Sequence, residues 1–280
     1  MMFWLQFRNE LWTLFAKKRT HIGFGMFALA QLIIVLIFRF TTASSAVHRD
    51  IRRIGLDDHK YFSALTLAAT ILLYLAYSLL PIYVALVGGD IVSKEAEDGT
   101  LRMLLSRPIS RLRLLCLKWL AGFSYACVLV VALGGLTLFW TWLSFPRGGG
   151  MFVLVPNEGF GLFDLPAGLH QYLLGCLTMM AKAGTIMSLA FMFSCFNMKP
   201  ASATIISLSL LIIDRILMEL PYFQDLQPWF LGHYLNVWQT FLTGPAAAWR
   251  VGQALCVMCA TTLTFFIVGA TAFQARDIKS

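Results

Sequence analysis

Apolar residues along this chain run in long unbroken blocks rather than in the alternation of a strand. Six blocks stand out, at about 22–40, 61–88, 114–144, 169–197, 201–219 and 251–273. Each reaches the roughly 17–25 residues that a helix needs to cross a bilayer, and the longer ones must tilt, kink or project into water. Pro81 marks a kink in the second block. Ahead of the first block, apolar positions 3, 4, 7, 11, 14 and 15 share a helical face, with Gln6, Arg8, Asn9, Glu10, Thr13 and Lys17 on the remainder. With Trp4 and Trp12, residues 2–19 read as an amphipathic helix lying in the membrane interface; the plainer reading is an extension of the first span. The expected fold is therefore all-α: one polytopic membrane domain over residues 1–280 with six transmembrane helices.

Composition supports that reading. Hydrophobic residues make up 59% of the chain and charged residues 13%, where soluble domains carry about 25%. Mean hydropathy is +0.73. Such a chain cannot cover its own surface in water, and in hydrocarbon only helices and closed barrels satisfy every backbone group. The net charge of +8 is read as attraction to a membrane surface, not to nucleic acid. With six spans, both termini share a side with the 89–113 loop and the turn at Lys199, and that side holds most of the Lys and Arg outside the spans. The bias puts both termini in the cytoplasm, although the basic 41–60 loop falls on the other side. The apolar run after Lys17-Lys18-Arg19 is long enough to span and has no small-residue cleavage site, so no cleavable signal is expected.

The charge gathers in one stretch, residues 89–118, which carries Asp90, Lys94, Glu95, Glu97, Asp98, Arg102, Arg107, Arg111, Arg113 and Lys118. Residues 93–100 are polar, and Leu101, Met103, Leu104 and Leu105 then give a short apolar face. Arg107-Pro108 stops a helix, and Ser110 is placed to cap the next one. This pattern predicts a short helix over about 93–106 outside the membrane, then re-entry. An ordinary solvated loop whose charge sets topology is the alternative.

The same residues resemble the permeases of ABC type-2 transporters. The resemblance runs through Ile91-Val92-Ser93-Lys94-Glu95-Ala96-Glu97-Asp98-Gly99-Thr100-Leu101, then Leu104-Leu105-Ser106-Arg107-Pro108-Ile109-Ser110-Arg111, then Lys118. The N-terminal helix, the six spans and the closing Phe273, Arg276 and Asp277 extend it over the whole chain. Within the family the chain looks most like the branch linked to multicopper-enzyme maturation. The resemblance implies that 93–106 is a coupling helix seated in a cleft of a separate ATPase subunit, with Glu95, Glu97, Asp98, Gly99, Thr100 and Arg102 at the matching positions. It implies a second permease protomer, identical or similar, and two ATPase subunits, in the cytoplasmic (inner) membrane of a bacterium or archaeon. ATP and Mg would be bound by the partner, since no Gly-x-x-x-x-Gly-Lys-Ser/Thr run occurs here. The expected function is half of the pathway of an ATP-driven exporter. Two alternatives stay open: a mechanotransmission or scaffolding subunit without cargo, and an ion-coupled secondary transporter.

Four ionisable residues fall inside spans: Lys182 in the fourth and Asp214, Arg215 and Glu219 in the fifth. Intramembrane charge is costly and needs a partner or a cavity. Lys182 reads either as a contact for an anionic substrate or as a structurally paired lysine. Arg215 and Glu219 share a face at i, i+4, and a bridge from Lys182 to Asp214 is the sharper expectation. Segment 220–249, rich in Trp, Tyr and Phe, reads as an outer gate or an interfacial belt. The six cysteines read as small buried apolar residues. Cys256-x-x-Cys259 has no His or acid near it, so no metal site is assigned. With no Ser/His/Asp set, no His-Glu-x-x-His and no catalytic carboxylate pair, the chain itself is not expected to be an enzyme.

Overall fold

The computed structural model describes residues 2–55, 58–101, 110–156, 159–244 and 247–275. Helix α1 (Met2–Ala16) is followed at once by α2 (Lys18–Phe40), then by α3 (Ala43–Arg53) and the single turn α4 (Asp58–Tyr61). The second apolar block forms two helices, α5 (Ala64–Tyr77) and α6 (Leu79–Glu97), bent by 43°. Long helices α7 (Arg111–Ser144) and α8 (Leu165–Cys195) flank a hairpin of β1 (Met151–Val155) and β2 (Gly159–Phe163). Helix α9 (Pro200–Glu219), a 3-10 stretch (Pro221–Trp229), short α10 (Leu231–Leu235) and α11 (Thr240–Thr243), and α12 (Ala248–Ala275) complete the chain. Among the described residues five helices are long and apolar enough to cross a membrane, and the bent pair adds a sixth if it is one span. The protein is thus a predominantly helical, multi-pass membrane protein.

The bend has a local cause. Pro81 cannot donate to the carbonyl four residues back, that of Tyr77, and its ring clashes there. The helix breaks at Ser78, whose backbone N–H (3.1 Å) and hydroxyl (2.9 Å) both turn back to the Tyr74 carbonyl. The second block therefore differs from the expected 61–88 span: it starts at Ala64, breaks at Ser78 and runs on to Glu97.

Two further expectations need correction. The 41–60 segment, expected as a loop, is largely helical, because in α3 Ile51 is buried while Arg49, Arg52 and Arg53 lie outward. The all-α expectation misses the hairpin. Met-Phe-Val-Leu-Val and Gly-Phe-Gly-Leu-Phe are β-branched and aromatic segments on either side of a Pro-to-Gly turn, paired from Met151↔Phe163 to Val155↔Gly159. Gly159, at φ +97, takes a conformation that other residues avoid. The hairpin is fastened to the start of α5: Ser63 Oγ donates to the Gly150 carbonyl (2.7 Å), and Phe152 N donates to Thr66 Oγ1 (3.0 Å).

Helix α8 is the most buried of the candidate spans and packs against α6, α7, α9 and α12. Small residues permit the close approaches that lipid-embedded helices need, since hydrophobic attraction is weak there. A Cβ on Gly88 of α6 would lie 2.7 Å from the Met187 carbonyl oxygen and 2.9 Å from Ala190 Cβ. Polar stitches reinforce the packing: Trp119 Nε1 donates to Ser188 Oγ (2.8 Å), Tyr172 Oη to the Gly134 carbonyl (3.0 Å), and Gln31 Nε2 to the Leu133 carbonyl and Thr137 Oγ1 (both 2.9 Å). Gly88→Ala is expected to cost about 1 kcal/mol in thermal unfolding of the detergent-solubilised protein, because a backbone carbonyl cannot yield cheaply. Gly135→Ala, where a Cβ meets nothing within 4 Å, should be neutral or slightly stabilising.

Cys256 and Cys259, expected buried, are exposed on α12, whereas Cys176 and Cys195 are buried. The face of α12 that carries the pair is outward rather than part of the core.

Candidate functional site

The charged stretch grows out of a span. Helix α6 continues unbroken through Lys94, Glu95 and Glu97, so the expected separate helix over 93–106 is corrected at its start: Ser93–Glu97 is the end of the span helix. Asp98 closes it, its N–H donating to the Lys94 carbonyl (2.9 Å). Gly99 follows at φ +73, the left-handed position that ends many helices. Thr100 Oγ1 reaches back to the Glu95 carbonyl (3.3 Å). Arg102 and the rest of the expected helix, to residue 106, lie outside the described residues.

The acidic positions divide into two faces. Glu97 and Asp98 point outward, about half exposed, and Lys94 lies between them at 3.0 and 3.2 Å. Such solvent-exposed pairs contribute little to stability. Glu95 points inward. Its Oε1 lies 2.6 Å from Lys118 Nζ, and the same ammonium lies 3.2 Å from Glu10 Oε2. Lys118 is 2% exposed, Glu95 14% and Glu10 21%. One lysine on α7 therefore holds α1 and α6 together beneath the charged loop. Ser110 caps α7, its Oγ accepting from Arg113 N (3.4 Å), and Arg111 Nη1 donates to the Gln274 carbonyl at the end of α12 (3.3 Å). The ends of α6, α7 and α12 thus meet here, with the middle of α1 tied to them through Glu10.

Of the expected coupling residues, Glu97, Asp98 and Gly99 stand where a soluble partner could touch them, and Glu95 does not. Glu10 escaped the sequence reading. It is the lone acid of residues 2–18, and a single acid on a helix otherwise basic on its polar face was the available signal.

At the opposite end of the bundle the intramembrane charges are arranged differently from expectation. Lys182 and Asp214 do not pair. Asp214 accepts from the backbone N–H groups of Leu231 (3.1 Å) and Gly232 (2.7 Å), capping α10. Lys182, 4% exposed, donates to Asn236 Oδ1 (3.4 Å) and sits over the rings of Tyr77 (5.0 Å) and Trp238 (5.7 Å). Arg215 pairs with Glu219 (3.2 Å) and also lies over the Tyr77 ring (4.5 Å). A tyrosine at the bend in the second span is therefore held by two cations, and the buried lysine has only neutral partners among the described residues.

Beside this group lies a cavity of about 160 Å³, lined by Pro228, His233, Tyr234, Asn236, Arg250 and Gln253 among others. No curated protein matches the chain. Residues 32–279 match the model of a family described as protein of unknown function, DUF2705, and the chain belongs to that family.

Proposed function

We propose that this chain is the six-span permease subunit of an ATP-driven ABC exporter, forming half of a translocation pathway and worked by a separate ATPase subunit. The observation that carries the reading is the Lys118 joint. An outward acidic pair, Glu97 and Asp98, sits within one helical turn of Glu95, which is tied through Lys118 to α1 and α7. A partner gripping the outward face would move three helices as one body. The charged motif of residues 91–118 supports an ATPase as that partner, and charge on both sides of the grip would set register and encounter rate more than affinity. In this reading both termini and the loop are cytoplasmic, and a second protomer completes the path.

The ion-coupled alternative loses its main support, since Lys182 and Asp214 are held by different groups. The mechanotransmission alternative uses the same joint and is separated by measurement. Glu97→Arg is expected to abolish copurification of an ATP-hydrolysing subunit while leaving the unfolding temperature unchanged, because Glu97 makes only an exposed pair. Retention of the partner in that variant, or purification with no ATP-hydrolysing subunit from the native membrane, rejects the proposal. Cargo-stimulated ATP hydrolysis by the intact complex distinguishes an exporter from a transmitter.

A further inference from the structure

Helix α1 does not present the single apolar face that its sequence suggests. Leu14 is buried, and Phe7, Leu11 and Phe15 pack against the core. Phe15 meets Tyr125 of α7 with ring centroids 6.0 Å apart. Trp4 and Trp12 turn away from that contact and are 65% and 77% exposed. Between them lies Arg8, also exposed. The three positions follow at i, i+4 and i+8, so their side chains form one outward ridge. Leu5, exposed as well, widens it.

Charge decides what the ridge fits. Glu10 is the lone acid of residues 2–18. Residues two apart on a helix lie about 200° apart around its axis, so Glu10 and Arg8 point to nearly opposite sides. Glu10 goes inward to Lys118 (3.2 Å). The outward side keeps Arg8, whose guanidinium has no bonded partner among the described residues. Lys18, exposed at the start of α2, adds a cation at the other end of the helix. An exposed apolar patch marks a contact surface, and this one is cationic with its own acid withdrawn. Indoles favour headgroup depth, and a guanidinium matches phosphate in two-point geometry. The position along the chain agrees. Helix α1 ends one residue before α2 begins, and the exposed Ile22, Met26, Leu29 and Ile33 of α2 belong to a candidate span, where exposed apolar residues meet hydrocarbon. The ridge thus adjoins a lipid-facing surface.

We infer that the ridge of Trp4, Arg8 and Trp12 docks on the anionic phospholipid headgroups of the leaflet at the charged-loop end. Glu10 ties the same helix to Lys118, and through it to Glu95 of α6, so a docked α1 holds that joint at the membrane surface. The inference stands on α1 alone and is independent of the export reading.

The test uses the full chain in nanodiscs of phosphatidylcholine, with and without phosphatidylglycerol, and reads hydrogen exchange in peptides from α1. Exchange there should be about fivefold slower with phosphatidylglycerol at low salt, the effect of one cation near an anionic surface. The difference should shrink at high salt. Arg8→Gln should abolish it and Arg8→Lys should keep it. Trp12→Ser should speed exchange in α1 in both lipids, because the indole anchors without regard to lipid charge. These side chains are exposed, so the variants keep the fold, and peptides from the buried α8 should exchange as in the parent. Equal exchange in the two lipids, a difference that persists in Arg8→Gln, or exchange unchanged in Trp12→Ser overturns the inference. So does protection of α1 that follows association of copies of the chain rather than lipid charge, which would assign the ridge to a second copy.

Discussion

Lys118→Met is expected to lower stability by about 3–5 kcal/mol, the usual cost of removing one member of a buried ion pair. Lys118 holds two carboxylates, Glu95 at 2.6 Å and Glu10 at 3.2 Å, and is itself almost wholly buried. Taking away the ammonium leaves two like charges facing each other in a poorly solvated space, so most of the loss comes from what remains rather than from the bond removed. In a Glu10→Gln, Glu95→Gln background the same substitution should cost far less, because nothing charged is left stranded. The difference between the two measurements is the coupling energy of the joint, read by thermal unfolding in detergent. Equal costs in the two backgrounds would mean that Lys118 acts through packing alone. Hydrogen exchange should also rise in α1, which loses its polar tie to α7.

Lys182→Met should act in the opposite sense. A lysine at the centre of a membrane helix costs about 2.5–3.5 kcal/mol on insertion scales, and its aromatic contacts return about 0.5–2 kcal/mol. Its partners are a neutral amide and two rings, so the charge is not compensated. The Met variant is therefore expected to be more stable by about 1–2 kcal/mol while losing whatever the site does. Stability gained together with function lost is the signature of a residue kept for its chemistry. A Met variant less stable than the parent would show that Lys182 is structural.

How far the sequence carried these conclusions differs between elements. Spans are legible because length and unbroken apolarity are properties of one segment, and the helix bounds α7 to α9 and α12 fall within a few residues of the apolar blocks. The break in the second block was signalled by Pro81, although its position three residues upstream follows from the clash with the Tyr77 carbonyl rather than from the proline itself. The hairpin was obscured because its segments are short, apolar and glycine-rich, which reads as a loop unless cross-strand pairing is known. Helix α3 was obscured because Ile51, the one buried residue among those described in it, gives little periodicity among charged neighbours.

At the candidate site the residue types were visible, but not their facing. Glu95, Glu97 and Asp98 look alike in one charged run, and only packing against α7 separates the inward carboxylate from the outward pair. The Lys182–Asp214 bridge failed for a related reason. Opposite charges on neighbouring spans suggest a pair, yet Asp214 found two backbone N–H groups in a loop whose fold no local pattern foretold.

The break at Ser78 turns α6 into a lever arm. Its fulcrum is Tyr77, steadied by Lys182 and Arg215, and its far tip is Glu97, two residues past Glu95. From Ser78 to Glu97 the arm measures about 28 Å at the helical rise. A swing of about 5° at the fulcrum would carry the tip through about 2.5 Å, comparable to the contact between Glu95 and Lys118. If α6 swings as one rod, prying Tyr77 from its two cations would loosen the joint on the other side of the bundle.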